Sequence, residues 1–141
     1  FFPMEIKSSE PDDRPMIQEI LENVDNQSFC SVVDEDLQTT EHLVEVSKCR
    51  YFLGHKTHSI IFALTSGTPL IAVAYHPKST DFMRHFSLED YAISDDDLET
   101  GLLIELFEKL KENVDKVGAI SFSRSREMSD QIRLDLSTII S

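Results

Sequence analysis

The stretch Arg50–Tyr75, RYFLGHKTHSIIFALTSGTPLIAVAY, decides the fold because it contains two short apolar runs separated by one helical pattern. The first run ends at Gly54. The second, Pro69–Tyr75, is apolar at both alternating sets of positions, as expected of a parallel strand that is covered on both faces. The pattern His55–Ser66 between them is helical, and Gly67 is a residue type that commonly ends helices. The stretch therefore predicts two parallel neighbouring strands joined by a helix.

Strand and helix patterns continue to alternate outward from this unit. This alternation predicts an α/β fold, a Rossmann-like parallel sheet flanked by helices with right-handed crossovers. Because 141 residues fit one domain, we expect residues 1–141 to form a single domain. The remaining helical patterns are Pro11–Val24, Thr39–Val46, Asp97–Asn113 and the less regular Gly118–Ser141, and the remaining strand patterns are Phe1–Met4, Ser28–Val33 and Tyr91–Ile93.

Composition excludes several classes of protein. Hydrophobic residues at 40% and charged residues at 28% are typical of a globular domain. The formal net charge of -13 argues against nucleic-acid binding, because such a protein repels phosphates. Cys30 and Cys49 lack metal or redox spacing, so we expect two free, partly buried thiols. No apolar run approaches the roughly 20 residues of a membrane span, and we therefore expect a cytoplasmic protein without a transmembrane segment.

The first candidate site is the strand-to-helix turn Gly54–Ser59. A helix start offers unpaired backbone N–H groups and the positive end of the helix dipole, which together attract phosphate or carboxylate. Lys56 adds a positive charge, and His58 can transfer a proton near neutral pH. Thr57 and Ser59 supply hydroxyl groups. In the alternative interpretation, His58 is a half-buried helix residue and Lys56 is solvated.

The second candidate site is Tyr75–Lys78, which follows the most apolar strand. The carboxyl ends of parallel strands gather at one edge of a sheet, so Lys78 is expected at the same edge as the turn after Gly54. Its ammonium group would supply a second positive charge to an anionic ligand. In the alternative interpretation, Pro77 makes an ordinary turn beside a surface lysine.

The acidic segments are interpreted as structural. Asp95–Asp97 precede a predicted helix, where carboxylates cap free N–H groups and complement the dipole. Asp34–Asp36 are typical of a solvated loop. His76 and His85 lack the spacing of metal ligands, and we expect no metal site.

The block of residues 41–83 carries a family resemblance. Its strand ends at Gly54, the triplet Lys56-Thr57-His58 opens a helix that contains Ile61-Phe62-Ala63, and Gly67-Thr68-Pro69 leads into a strand ending at Tyr75, with Lys78 three residues on. This ordered block resembles the polysaccharide pyruvyl transferase family, in which an Arg-Leu-His triplet opens the helix. The resemblance extends over most of Phe1–Asn113. Lysine in place of the family's arginine keeps the charge but lacks the bidentate fork.

The resemblance implies a fold and an activity. Such enzymes are expected to have two Rossmann-like domains facing across a cleft, as in type B glycosyltransferases. This chain then corresponds to the C-terminal, donor-binding half, without the N-terminal domain that binds the acceptor. The implied reaction transfers pyruvate from phosphoenolpyruvate to a sugar of a cell-surface polysaccharide as a ketal, with no further cofactor.

The resemblance also assigns roles to residues. His58 would be the catalytic acid, and Lys56 and Lys78 would hold phosphoenolpyruvate. Two alternatives remain: a type B glycosyltransferase whose helix start holds the diphosphate of a nucleotide sugar, and a non-catalytic domain that kept only the fold. The full substrate-binding set is Gly54, Lys56, Thr57, Ser59, Tyr75 and Lys78.

Overall fold

The structure is a computed structural model that describes residues 1–4, 12–33 and 37–140. These residues belong to two compact units, Phe1–Gln38 and Thr39–Ser141. The acidic loop predicted at Asp34–Asp36 lies outside the described residues, as does Pro11 at the start of the first predicted helix. The single-domain organisation stays a prediction.

The smaller unit contains helix α1 (Arg14–Glu22). This helix begins after Asp13, whose carboxylate accepts a hydrogen bond from the N–H of Met4 at 2.8 Å. Arg14 donates hydrogen bonds to Asp12 and thereby lowers the pKa of that carboxyl group. Helix α1 thus lies within the predicted range Pro11–Val24 and ends two residues before Val24.

The strand predictions in the smaller unit, Phe1–Met4 and Ser28–Val33, are wrong. One pair of hydrogen bonds joins the two segments, from Phe1 N to Ser31 O at 2.7 Å and from Val33 N to Phe1 O at 3.0 Å, and no regular strand forms. Instead, residues 27–29 form a 3₁₀ turn, because the side chain of the preceding Asn26 accepts from a turn N–H and caps it.

The larger unit contains three strands, which are β1 (Phe52–Gly54), β2 (Leu70–Ala74) and β3 (Ala92–Ser94). They form one parallel sheet in the order β1-β2-β3. Phe52 lies opposite Leu70, and Ala72 lies opposite Ala92. Both pairings are parallel, so the prediction that the two apolar runs are parallel neighbours is confirmed.

The core of the larger unit surrounds β2, the central strand. All five residues of β2 are buried, and helix α3 (Thr57–Ser66) packs against this strand. Ile60, Ala63 and Leu64 are the buried apolar residues of α3. Complete burial of a Leu or Ile side chain contributes roughly 1.5–3 kcal/mol to folding. Gly67 ends α3 with φ 73°, a left-handed conformation that glycine adopts without strain.

Two helices differ from the sequence prediction around the site. Helix α3 begins at Thr57 rather than at His55, because Lys56 is still extended and serves as the N-cap. Helix α4 (Pro77–His85) occupies a segment for which only a turn was predicted. Pro77 lies in the first turn of α4, where its fixed φ favours the helix and its missing N–H costs nothing.

The interpretation of the acidic triplet as a helix cap is wrong. Asp95–Asp97 form their own 3₁₀ turn, in which the hydroxyl of Ser94 accepts from the N–H of Asp96 at 3.3 Å. Leu98 then returns to an extended conformation. Helix α5 (Thr100–Glu112) therefore begins later than predicted, after Glu99.

The other predicted helices are confirmed. Helix α2 (Thr39–Ser47) precedes the sheet, and helix α6 (Val114–Ile140) includes the weakly patterned tail in one 27-residue helix. Among the described residues, no helix combines the length and apolar character needed to cross a membrane.

The two thiols match the prediction. Cys30 and Cys49 are free and half-buried. Burial raises the pKa of the Cys49 thiol, which keeps that group neutral and lowers its reactivity.

Candidate functional site

The start of α3 provides unpaired N–H groups. The first α-helical hydrogen bond runs from the N–H of Ile60 to the carbonyl of Lys56 at 3.1 Å. The N–H groups of Thr57, His58 and Ser59 therefore have no acceptor within the helix. The Lys56 side chain cannot cap them, because an ammonium group has no acceptor. This turn thus offers backbone donors and a positive dipole end to an anion.

The side chains of the same turn take different positions. His58 is exposed, so the interpretation of a half-buried histidine is wrong. Ser59 is only 4% exposed, and its hydroxyl donates to the carbonyl of Lys56 at 2.7 Å. The hydroxyl of Thr57 lies 2.9 Å from that of the buried Ser79. Ser59 and Thr57 therefore offer their backbone N–H groups more readily than their hydroxyls.

The start of α4 differs because its backbone donors are already used. Pro77 has no N–H, and Nδ1 of His76 accepts from the N–H of Lys78 at 3.2 Å. The N–H of Ser79 donates to the carbonyl of His76 at 3.0 Å. The side chain of Lys78 is exposed, so α4 contributes charge rather than backbone donors.

The contact between Thr57 and Ser79 holds the first turns of α3 and α4 side by side. Lys56 immediately precedes Thr57, and Lys78 immediately precedes Ser79, so both lysines extend from these adjoining turns. The formal net charge of the protein is -13, so two lysines beside one helix start differ from the acidic character of the chain as a whole. The common binding of one ligand by Lys56, His58 and Lys78 stays a prediction.

Gly54 ends β1 where the strand closely approaches α3. A Cβ atom at this position would lie 2.9 Å from Cγ1 of Ile60 and 3.3 Å from the hydroxyl of Ser59. Only glycine fits without displacing Ile60. Gly54 therefore shapes the turn through its lack of a side chain.

Replacing Gly54 by Ala is expected to lower the free energy of unfolding by about 1–3 kcal/mol, because Ile60 must move within a packed core. Gly101→Ala is the matched control, since a Cβ atom there meets nothing within 4 Å. Ala in helix α5 should stabilise by up to about 1 kcal/mol. Urea unfolding followed by circular dichroism measures both variants. Equal stability of Gly54→Ala and the original protein would contradict the close approach.

A further side-chain cluster crosses the carboxyl edge of the sheet. His55 follows β1, Tyr75 follows β2 and Asp95 follows β3. The rings of His55 and Tyr75 stack with centroids 4.9 Å apart, and Nε2 of His55 lies 3.6 Å from Oδ1 of Asp95. Tyr75 was predicted as a site residue from the sequence, whereas His55 and Asp95 were not. Ligands of parallel sheets bind beyond the carboxyl ends of the strands. The position of Asp95 directly after the third strand could therefore have identified it.

A cleft of about 460 Å³ opens beside Tyr75, between α4 and the ends of β2 and β3. His76 and Ser94 are among its polar lining residues. Arg84 and Asp81 also line it and form an ion pair at 2.9 Å. A space of this size accommodates a small organic ligand.

The parallel sheet defines an α/β domain, and the helix start at its carboxyl edge is where such domains commonly bind ligands. The chain belongs to the polysaccharide pyruvyl transferase family, whose family model matches residues 1–77. The predicted family is therefore confirmed. The matched range includes Lys56, His58 and Tyr75, and it ends one residue before Lys78.

The chain is also similar to the amylovoran biosynthesis protein AmsJ of Erwinia amylovora. The two are 24% identical over 134 residues, which is 93% of this chain and 32% of the relative. The chain thus spans about a third of the length of that relative. No solved structure matches the chain significantly.

Proposed function

We propose that this chain is the donor-binding part of a polysaccharide pyruvyl transferase that uses phosphoenolpyruvate. The observation that carries the proposal is the uncapped start of α3, where three backbone N–H groups lie beside Lys56. Phosphoenolpyruvate carries a phosphate and a carboxylate, which are the groups that such a helix start binds. Membership of the family supports a transferase reaction of this class.

The proposed roles follow from the chemistry of each group. The backbone donors of α3 and the charges of Lys56 and Lys78 hold the donor's anionic groups. His58, exposed on the first turn of α3, protonates the methylene carbon of the enolpyruvyl group as it becomes a methyl group. The product is a pyruvate ketal on a sugar of a cell-surface polysaccharide, and inorganic phosphate is released.

The acceptor-binding half is proposed to come from sequence outside this chain, in an arrangement like that of type B glycosyltransferases. The length of AmsJ, of which the chain matches 32%, supports this proposal. The free thiols of Cys30 and Cys49 are consistent with a reaction in the reducing cytoplasm.

Lys56→Ala is expected to weaken phosphoenolpyruvate binding about tenfold to a hundredfold, because it removes a charge-assisted hydrogen bond. Lys56→Arg is expected to bind more tightly than the original protein, because the planar fork makes two parallel hydrogen bonds to phosphate or carboxylate. Calorimetry at low ionic strength, where exposed charges are least screened, measures all three proteins.

Lys116→Ala is the matched control, since Lys116 is exposed on α6 and its loss removes the same charge elsewhere. Equal affinity in the original protein and both Lys56 variants would contradict the proposed donor site. A nucleoside diphosphate that binds in place of phosphoenolpyruvate would favour the nucleotide-sugar alternative.

A further inference from the structure

His55 lies at the carboxyl edge of the sheet, directly after the edge strand β1. It extends from the end of β1, its ring stacks on Tyr75 beyond β2, and its Nε2 approaches Asp95 beyond β3. The His55 side chain is 45% exposed. An imidazole that contacts two neighbours and is open to solvent can also contact a ligand.

The carboxylate of Asp95 approaches one of the two ring nitrogens. Oδ1 of Asp95 lies 3.6 Å from Nε2 of His55. The other ring nitrogen, Nδ1, is the one left to meet a ligand. An imidazole oriented by a carboxylate is the usual arrangement of a general base.

The surroundings of His55 have the components of a reaction site. The next residue, Lys56, occupies the N-cap position of α3, whose first turn is the proposed donor site. Tyr75, on which the His55 ring stacks, lines the cleft of about 460 Å³. His55 thus connects the proposed donor site with a space that can admit a second substrate.

We infer that His55, oriented by Asp95, is the general base that accepts a proton from the acceptor hydroxyl; this inference rests on the proposed function. The hydroxyl oxygen forms a bond to C2 of phosphoenolpyruvate while its proton moves to Nδ1 of His55. The electron pair of the C2–C3 double bond takes a proton from His58, and C3 becomes a methyl group. Two histidines are needed because this addition removes one proton and adds another.

Ketal formation is then completed by the second acceptor hydroxyl. Its oxygen bonds to C2 as the bond between C2 and the phosphate oxygen breaks, and phosphate leaves with the bonding electron pair. The proton of this hydroxyl goes to the departing phosphate. In the net reaction, one hydroxyl proton is balanced by the proton added to C3, and the other is carried by the released phosphate. Proton exchange with solvent then returns His55 and His58 to their starting protonation states.

The test compares donor binding with turnover in His55→Ala and His55→Gln variants of the natural protein, including any sequence that accompanies this chain in the cell. Calorimetry measures phosphoenolpyruvate affinity, and phosphate release with a diol-bearing saccharide measures turnover. We expect affinity within about threefold of the original and turnover lower on the order of a hundredfold. Added imidazole should restore part of the turnover of His55→Ala, which a purely structural role would not allow.

Asp95 acts through His55 as a positioning residue. Asp95→Asn should lower kcat on the order of tenfold while leaving the KM for phosphoenolpyruvate nearly unchanged. His85→Ala and Asp96→Asn are matched controls on exposed residues outside the cluster. They should leave both quantities unchanged.

Unchanged turnover in His55→Ala would overturn the inference. An equal loss of donor affinity and turnover, without imidazole rescue, would also overturn it, because His55 would then serve only to bind the donor. Failure of the proposed function itself has a separate signature, which is the absence of phosphoenolpyruvate binding by the original protein.

Discussion

Leu70→Ala is expected to lower the free energy of unfolding of the larger unit by about 2–5 kcal/mol. Leu70 begins the central strand β2 and is 0% exposed. Its removal loses the transfer free energy of the buried side chain and leaves a cavity that a three-stranded sheet between helices cannot readily fill. The free energy of unfolding from urea titrations, with circular dichroism as the signal, gives the loss.

The control is a chemically identical substitution at an exposed position. Leu134 lies on α6 and is 62% exposed, so Leu134→Ala should change stability by no more than about 0.5 kcal/mol. A similar loss in both variants would show that Leu70 is not part of the stabilising core.

The strand–helix–strand centre of the fold could be predicted because its chemistry is local. The run that becomes β2 is apolar on both faces, and the structure covers both faces. Gly67 was recognisable as a helix end because few other residues adopt its left-handed φ of 73°. In these segments, the conformation that the residue types favour is also the one that the packing of the sheet and α3 requires.

Helix α4 was not predicted because its sequence lacks a typical helical pattern of apolar residues. Only Ser79 and Met83 are buried among its nine residues, so it has no wide apolar stripe. Pro77 also suggested a turn, although proline is equally suited to the first turn of a helix. The sequence did not show that the side chain of His76 caps a helix, because the one buried apolar residue of that helix, Met83, lies well beyond its first turn.

The acidic triplet shows a similar limit at a helix boundary. Carboxylates favour the start of a helix, and Asp97 is close enough to α5 for the pattern to be plausible. The observed start was decided by Ser94, whose hydroxyl caps a separate 3₁₀ turn, and by the extended Leu98. Such competition between neighbouring caps is not resolved by residue type alone.

The candidate site was predicted only in part, since its components come from three separate strand ends. Lys56 and His58 could be assigned from the family resemblance, and the structure places them at the start of α3. His55 was passed over because its partners, Tyr75 and Asp95, are 20 and 40 residues away in the sequence. The parallel register of three strands brings these residues to one edge of the sheet. No local sequence pattern indicates that register.

His58→Ala is expected to lower turnover about 10²–10⁴-fold, because a general acid acts mainly in the transition state. Donor affinity should fall less than about tenfold, since at most one side-chain hydrogen bond is lost while the backbone donors of α3 remain. Phosphate release by the natural protein, with any accompanying sequence, measures turnover, and calorimetry measures affinity.

His58→Gln separates proton transfer from simple hydrogen bonding. Glutamine donates hydrogen bonds but does not deliver a proton near neutral pH, so this variant should be as slow as His58→Ala while binding phosphoenolpyruvate almost normally. His85→Ala, at the exposed end of α4, serves as the histidine control. Substantial turnover by His58→Gln would contradict the acid role, because the exposed first turn of α3 would then contribute donors and charge to binding but no proton to the reaction.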